Sequence, residues 1–266
     1  RRAAWAPKGW VAARSQVELS APTTTTTSTP GRSRRQPATG SPRIDVGDDA
    51  AVTIDLGVLT SSGESLEVAA PELCLWRAPT DNDGIKAGWM AGVGARGRWL
   101  RWGLDRMTAV DVDVSRRRGA IVRTTTWEAD AAVGPIRHRQ AISIVDGAVS
   151  FAETVEIPKE LDDLPRIGVR FVLPETFEHL EWCGPGPGAG CPDRRALPVG
   201  RSATTVTDTY VDHIVPQEHG HRTDVRWLEL SDGAPRRRGR PPSTVAIEVD
   251  RRFGFNASHF TVEDLT

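Results

Sequence analysis

Apolar and polar residues alternate over short runs through much of the chain, and glycine or proline stands between the runs. VTIDLGVLTSSGESLEVAA, Val52 to Ala70, alternates on both sides of Ser-Ser-Gly, the pattern of two strands joined as a hairpin. AIVRTTTWEADAAVGPIRHRQAISIV, AVSFAETVEI and RIGVRFVLP continue in the same β-rich style, as do TVAIEVD and FGFNASHF. Many short strands separated by Gly/Pro turns predict an all-β sandwich or barrel. One segment departs from this rhythm: ARGRWLRWGLDRM, Ala95 to Met107, hints at a helix that Gly97 and Gly103 weaken.

The N-terminal part reads differently. Residues 1–20, with Trp5 and Trp10 in an apolar pattern too short to stand alone, look like the remnant of a preceding β domain. Residues 21–42 are Thr/Pro/Ser/Arg-rich with no apolar periodicity, which predicts a disordered linker. The strand-rich region is therefore 43–266. A chain that opens on Arg1 instead of Met reads as a piece of a longer product.

Composition narrows the function classes. The 266 residues are 38% hydrophobic and 26% charged, ordinary for a globular protein, with a net charge of −1. A balanced charge argues against a general nucleic-acid or anionic-membrane binder, since both need a sustained positive field. Three cysteines at wide spacing, Cys74, Cys183 and Cys191, do not form a disulfide framework and point to a reducing compartment. No apolar run has the length of a membrane span and no signal-peptide pattern is present, so the expected location is cytoplasmic.

Four motifs could carry chemistry. In LWRAPTDNDG, Leu75 to Gly84, Asp81 and Asp83 could be paired carboxylates, but acid–base work on a glycoside needs two carboxyls facing each other across a substrate, ~5–9 Å apart. The calcium-loop pattern is incomplete. The plainer reading is a buried Asx turn with Arg77 as charge partner. In WCGPGPGAGCPDRR, Trp182 to Arg195, no Gly-Lys-Ser/Thr follows the glycines and two prolines remove N–H donors, so it is no phosphate loop. Cys183 and Cys191 with His219 and His221 match no usual zinc spacing, and no metal site is expected. In VPQEHGHRTDVRWLEL, Val215 to Leu230, Glu218, His219, Arg222 and Asp224 could line a pocket or hold a long turn against a sheet. PRRRGRPP, Pro235 to Pro242, reads as a solvated hairpin tip.

Taken in order, LWRAPTDNDG, RWLRWGLDRM, DLPRIGVRFVLP, WCGPGPGAGCPDR, YVDHIVPQEHGHRTDVRWLEL and FGFNASHFTVEDL resemble the C-terminal, small-chain region of family 2 β-galactosidases. WAPKGWVAARSQVEL resembles the last strands of that family's preceding immunoglobulin-like domain. The resemblance implies an antiparallel β-supersandwich of the galactose-mutarotase-like kind over 43–266, truncated at its C-terminus before a tryptophan that the family lends to the sugar site. It implies a part in hydrolysing terminal β-D-galactosides such as lactose by a retaining mechanism. The two catalytic glutamates of that mechanism lie in an upstream (β/α)₈ barrel, so this chain would hold no catalytic residue and would be inactive alone. Trp76, Arg77, Asp81, Asn82 and Asp83 would form a scaffold or domain-interface loop. The implied partners are the barrel domain or large chain, a galactoside substrate and further copies in an oligomer. No cofactor is expected in this chain, the family's Mg and Na sites lying outside it. The sequence departs from the family at Pro185 and at Ala189, Gly190 and Cys191, where Glu-Asn-Tyr is usual.

A second class of function is a stand-alone carbohydrate-binding or mutarotase-like module, or a degenerate gene fragment. A mutarotase needs a histidine and a glutamate placed for acid–base work on the sugar ring, and Glu218/His219 or His138/Glu153 are the candidates.

Overall fold

The computed structural model describes residues 43–46, 50–55, 58–61, 67–69, 71–84, 94–145, 148–190, 196–215, 217–233 and 243–265. The stretches read as a domain remnant (1–20) and a linker (21–42), together with Cys191 and the Arg-rich tip, lie outside the described residues. The architecture is all-β and antiparallel. The strands are β1 (Arg43–Val46), β2 (Ala50–Asp55), β3 (Val58–Ser61), β4 (Glu67–Ala69), β5 (Glu72–Cys74), β6 (Thr108–Arg117) and β7 (Ala120–Glu128). They continue as β8 (Ile136–Val145), β9 (Ala148–Glu156), β10 (Gly168–Arg170), β11 (His179–Pro185), β12 (Val199–Thr205), β13 (Arg222–Ser231) and β14 (Thr244–Phe255), and among the described residues one α-helix, α1 (Ala95–Arg101), interrupts them.

Two compact units divide these elements. One comprises the described residues from 43 to 173 with 262–265 and holds three sheets, ordered β1-β2-β3-β4, β10-β5 and β6-β7-β8-β9. Its first sheet refines the hairpin expected over Val52–Ala70. Val52 pairs with Ser61 and Thr60 with Glu67, so the stretch makes two successive antiparallel pairs, β2 with β3 and β3 with β4. In its largest sheet β8 alternates strictly: Ile136, His138, Gln140 and Ile142 are buried while Arg137 and Arg139 face out. The other unit includes 174–261 and holds the sheet β12-β11-β13-β14. Leu180 faces Leu230 and Trp182 faces Leu228 across β11 and β13, burying one face by the same period of two. Among the described residues no helix is long and apolar enough to cross a membrane.

The helical hint over Ala95–Met107 becomes a seven-residue helix and a short 3₁₀ turn, Leu104–Arg106, with Gly103 between them. Gly103 takes a φ of 71°, a left-handed conformation that ends α1, and Asp130 N–H bonds back to the Trp102 carbonyl at 2.9 Å. This stop puts Trp99 and Leu104 into one core with Leu73, Leu75, Trp76, Val133, Ile136 and Leu161. Trp76 and Trp99 meet edge to face, ring centroids 6.3 Å apart, a geometry worth ~0.5–1.5 kcal/mol beyond area burial. Arg118 and Gly119 close the β6–β7 hairpin, both left-handed (φ 51° and 84°), as a two-residue turn requires.

These two glycines make a paired test. A Cβ on Gly103 would lie 2.9 Å from Asp130 N, whereas one on Gly119 meets nothing within 4 Å. Gly119→Ala therefore carries left-handed strain alone, about 1–2 kcal/mol, and Gly103→Ala adds a backbone clash to it. Urea denaturation will show the larger drop in midpoint for Gly103→Ala.

Candidate functional site

The Leu75–Gly84 loop is organised around one carboxylate. Arg77 follows the buried Leu75 and Trp76, and its guanidinium turns back onto Asp83, Nη1 to Oδ2 at 2.7 Å and Nη2 to Oδ1 at 3.0 Å. Asp83 Oδ2 also accepts the Thr80 N–H at 2.7 Å and the Thr80 hydroxyl at 2.8 Å. Two further Arg77 donors reach Ala78 O (3.0 Å) and Pro165 O (3.2 Å), and its guanidinium carbon stands 5.0 Å from the Trp99 ring centroid. Asp81, Asn82 and Asp83 form a single 3₁₀ turn, closed by Gly84 at φ 104°. Asn82 is exposed and Asp81 half-buried. Burial alone would raise the Asp83 pKa, but the Arg77 and Thr80 hydrogen bonds and the Arg77 charge outweigh it and hold the carboxyl below its ordinary 3.8. A carboxylate with four donors and a depressed pKa stays ionised, so it holds a loop in shape and is a poor proton donor.

The second set lies in the other unit, on the loop leading into β13. Burial pushes the His219 imidazole below its ordinary 6.5, with His213 adding to the effect and the neighbouring Glu218 opposing it. Tyr210 stands edge-on to the His219 ring at 5.0 Å. Arg222 is buried at 5% exposure, with Nη1 donating to Gly220 O at 2.5 Å and its guanidinium carbon 5.0 Å from the Trp182 ring centroid. Asp224 is exposed at φ 56°, on an irregular stretch of β13 between Arg222 and Val225. The structure thus brings Glu218 to His219, buries Arg222 against Trp182, and leaves Asp224 outside that group. Asn256 holds the loop in place: its Nδ2 donates to His219 O at 2.7 Å and its Oδ1 lies 2.6 Å from His221 Nδ1. Sequence reasoning missed Asn256 and Trp182, because each is distant in sequence from the group it serves, and it missed Tyr210, which lies in the same stretch as His219 but carries no spacing signal for a ring contact.

The pair His138 and Glu153 does come together, Nε2 to Oε2 at 2.6 Å, but His138 is buried at 1% exposure. Gln140, which the sequence did not single out, donates to both Glu153 Oε1 (3.1 Å) and Pro71 O (2.8 Å). The signal was available: His138 and Gln140 are two apart on one strand face, and Gln140 sits opposite Glu153 in the ladder. These contacts tie the Pro71 segment to the β8–β9 pair and leave His138 no open path to a sugar. Among the described residues no group of three or more His, Cys, Asp or Glu side chains could hold a metal ion.

The family model for the β-galactosidase small chain matches residues 48–266. The chain is similar to the β-galactosidase of Arthrobacter sp. (strain B7), 32% identical over 289 residues, covering 98% of this chain and 26% of that protein. It is also similar to the β-galactosidase of Staphylococcus xylosus, 30% identical over 72% of this chain and 18% of that protein. A third relative, from Aeromonas hydrophila, is 30% identical over 71% of this chain and 18% of its own length. The chain spans about a quarter or less of the curated relatives it matches.

Asp83 supplies a pH-dependent test. At pH 7 Asp83→Asn removes the charge that satisfies Arg77 and will cost ~1–3 kcal/mol in urea denaturation. Because the folded pKa lies below 3.8, the Asp83 contribution is fully present above that value and is lost as pH falls through the lower folded one. The gap between wild type and variant will therefore hold from neutral pH down to about 4 and close only below it. A midpoint that Asp83→Asn leaves unchanged at pH 7 would contradict the scaffold role.

Proposed function

Because the chain belongs to the β-galactosidase small-chain family, we propose that it works as the non-barrel part, or small subunit, of a glycosidase that hydrolyses terminal β-D-galactosides such as lactose. One observation carries this reading: the family match runs over 48–266, while the chain answers to a quarter or less of each relative's length. A chemistry that needs two glutamates facing each other across a glycosidic bond then draws them from the part that the relatives have beyond this match, in a (β/α)₈ barrel. In this reading the chain contributes structure and sugar contact, and region 43–266 is a mutarotase-like supersandwich. The Trp76–Asp83 loop braces the face toward the barrel, and the assembled enzyme is an oligomer of the cytoplasm.

The geometry supports a supporting role over a catalytic one. Asp83 is saturated with donors and His138 is sealed by burial. The loop that carries Glu218 and His219, with Tyr210 exposed beside it, is the part of the described structure best suited to meet a sugar or a neighbouring domain, since an aromatic edge and a polar rim suit both.

The test is a complementation assay with a chromogenic β-galactoside. The purified chain alone is expected to give no turnover. Mixing it with a barrel-containing chain of the family that lacks its own small-chain region is expected to produce activity. Robust turnover by the chain alone would refute the supporting role, and so would a mixture no more active than its parts.

A further inference from the structure

Strand β6 is the outer strand of the sheet β6-β7-β8-β9, and every residue of it except the half-buried Ser115 is exposed. Three of those residues are valines at alternate positions, Val110, Val112 and Val114, exposed at 50%, 48% and 42%. An open edge with an apolar stripe is a template for another strand, and proteins normally blunt such edges with proline, lysine or a bulge. Here no proline or lysine is present, the charged side chains Asp111, Asp113, Arg116 and Arg117 are of both signs and so can be met by those of a second copy, and the one irregularity lies between Ala109 and Asp111. From Asp111 to Arg117 the strand is a regular ladder ending at the hairpin turn.

We propose that this edge is a self-association surface, at which two copies of the chain pair β6 to β6, antiparallel, about a two-fold axis at Val114. The charge pattern selects both the partner and the register. In a continuous sheet, directly opposed residues lie on the same face, so a symmetric pairing must centre on a residue. Centred on Val112, it sets Asp111 against Asp113 twice. Centred on Asp113, it sets that aspartate against its own copy. Centred on Val114, it sets Val114 against Val114, Asp113 against Ser115 and Val112 against the aliphatic stem of Arg116. The same register places Asp111 of each copy opposite Arg117 of the other, two complementary pairs on the solvent face. A centre on Ser115 also avoids like charges but pairs a shorter stretch. The Val114 register is thus the longest one free of aspartate–aspartate opposition, and it stops short of the irregularity at Ala109. Strand β14 is another long outer strand, but its ladder with β13 is irregular from Arg222 to Trp227.

The surface stands apart from the galactosidase reading and can be tested without it. Analytical ultracentrifugation of the chain is expected to show a monomer–dimer equilibrium. Asp111→Arg opposes two arginines across the axis and Arg117→Asp opposes two aspartates, so each variant alone will raise the dimer dissociation constant on the order of tenfold or more. An equimolar mixture of the two variants restores both opposite-charge pairs in the heterodimer, and its dissociation constant will return to that of the parent. Both positions are exposed, so circular dichroism will confirm an unchanged fold. A chain that stays monomeric at every concentration would overturn the proposal. So would a dimer indifferent to either substitution, or single variants that weaken it without rescue on mixing.

Discussion

The guanidinium of Arg77 is the joint on which one unit's core turns. It is bonded on one side to Asp83 through two hydrogen bonds, lies over the Trp99 ring on another, and reaches the Pro165 carbonyl on a third. Trp76 and Trp99 are both buried next to it and pack against each other. Moving the guanidinium would therefore disturb a loop, the helix that carries Trp99 and the segment before β10 together. An arginine suits this position because its planar fork meets a carboxylate with two bonds while its face stacks on an indole, which a lysine ammonium cannot do. Removing one member of such a partly buried pair costs more than the pair itself contributes, since the other charge is left without a partner.

Much of this was legible in the sequence, and the reasons differ by element. The two-residue period exposed the strands, and the inward set of β8 follows it without exception from Ile136 to Ile142. Arg77 and Asp83 were legible because they are only six residues apart, with turn-forming residues between them. The helix was legible in kind but not in length, because Gly103 could have been read as a weak helical residue or as a stop. Its left-handed φ and the close approach of Asp130 decide for the stop. Turn placement was the weaker reading: the pattern over Val52–Ala70 suggested one hairpin, and the structure pairs β2 with β3 and β3 with β4.

The loop before β13 was less legible because its order comes from afar. Asn256 is 37 residues from His219, and Trp182 is 40 from Arg222. Nothing in a linear pattern announces that a polar residue four places short of Phe260 will fix a histidine loop. The burial of Arg222 was likewise hidden. Charged residues are rarely inside unless paired, yet here backbone carbonyls and an indole face receive the guanidinium. Burial lowers its pKa from the ordinary value, which still leaves an arginine charged at neutral pH. The positive charge then acts on the loop through fixed dipoles, and the local geometry of Gly220 and His221 becomes part of its solvation.

Family membership and fold do not by themselves locate chemistry, and here the physical state of the side chains argues where it is not. A glycosidase acid needs a carboxyl whose pKa is raised by an apolar or like-charged neighbourhood and whose oxygen is open to the leaving group. Asp83 is the reverse on both counts: its pKa is lowered and its oxygens are filled. Glu153 divides its two oxygens between His138 and Gln140 and so serves the packing of β8 on β9. The described carboxylates with the most complete hydrogen bonding are thus committed to holding strands and loops in place. That commitment is what a supporting domain requires, because a surface that must present a fixed shape to a partner gains from charges locked in pairs and loses from charges free to titrate.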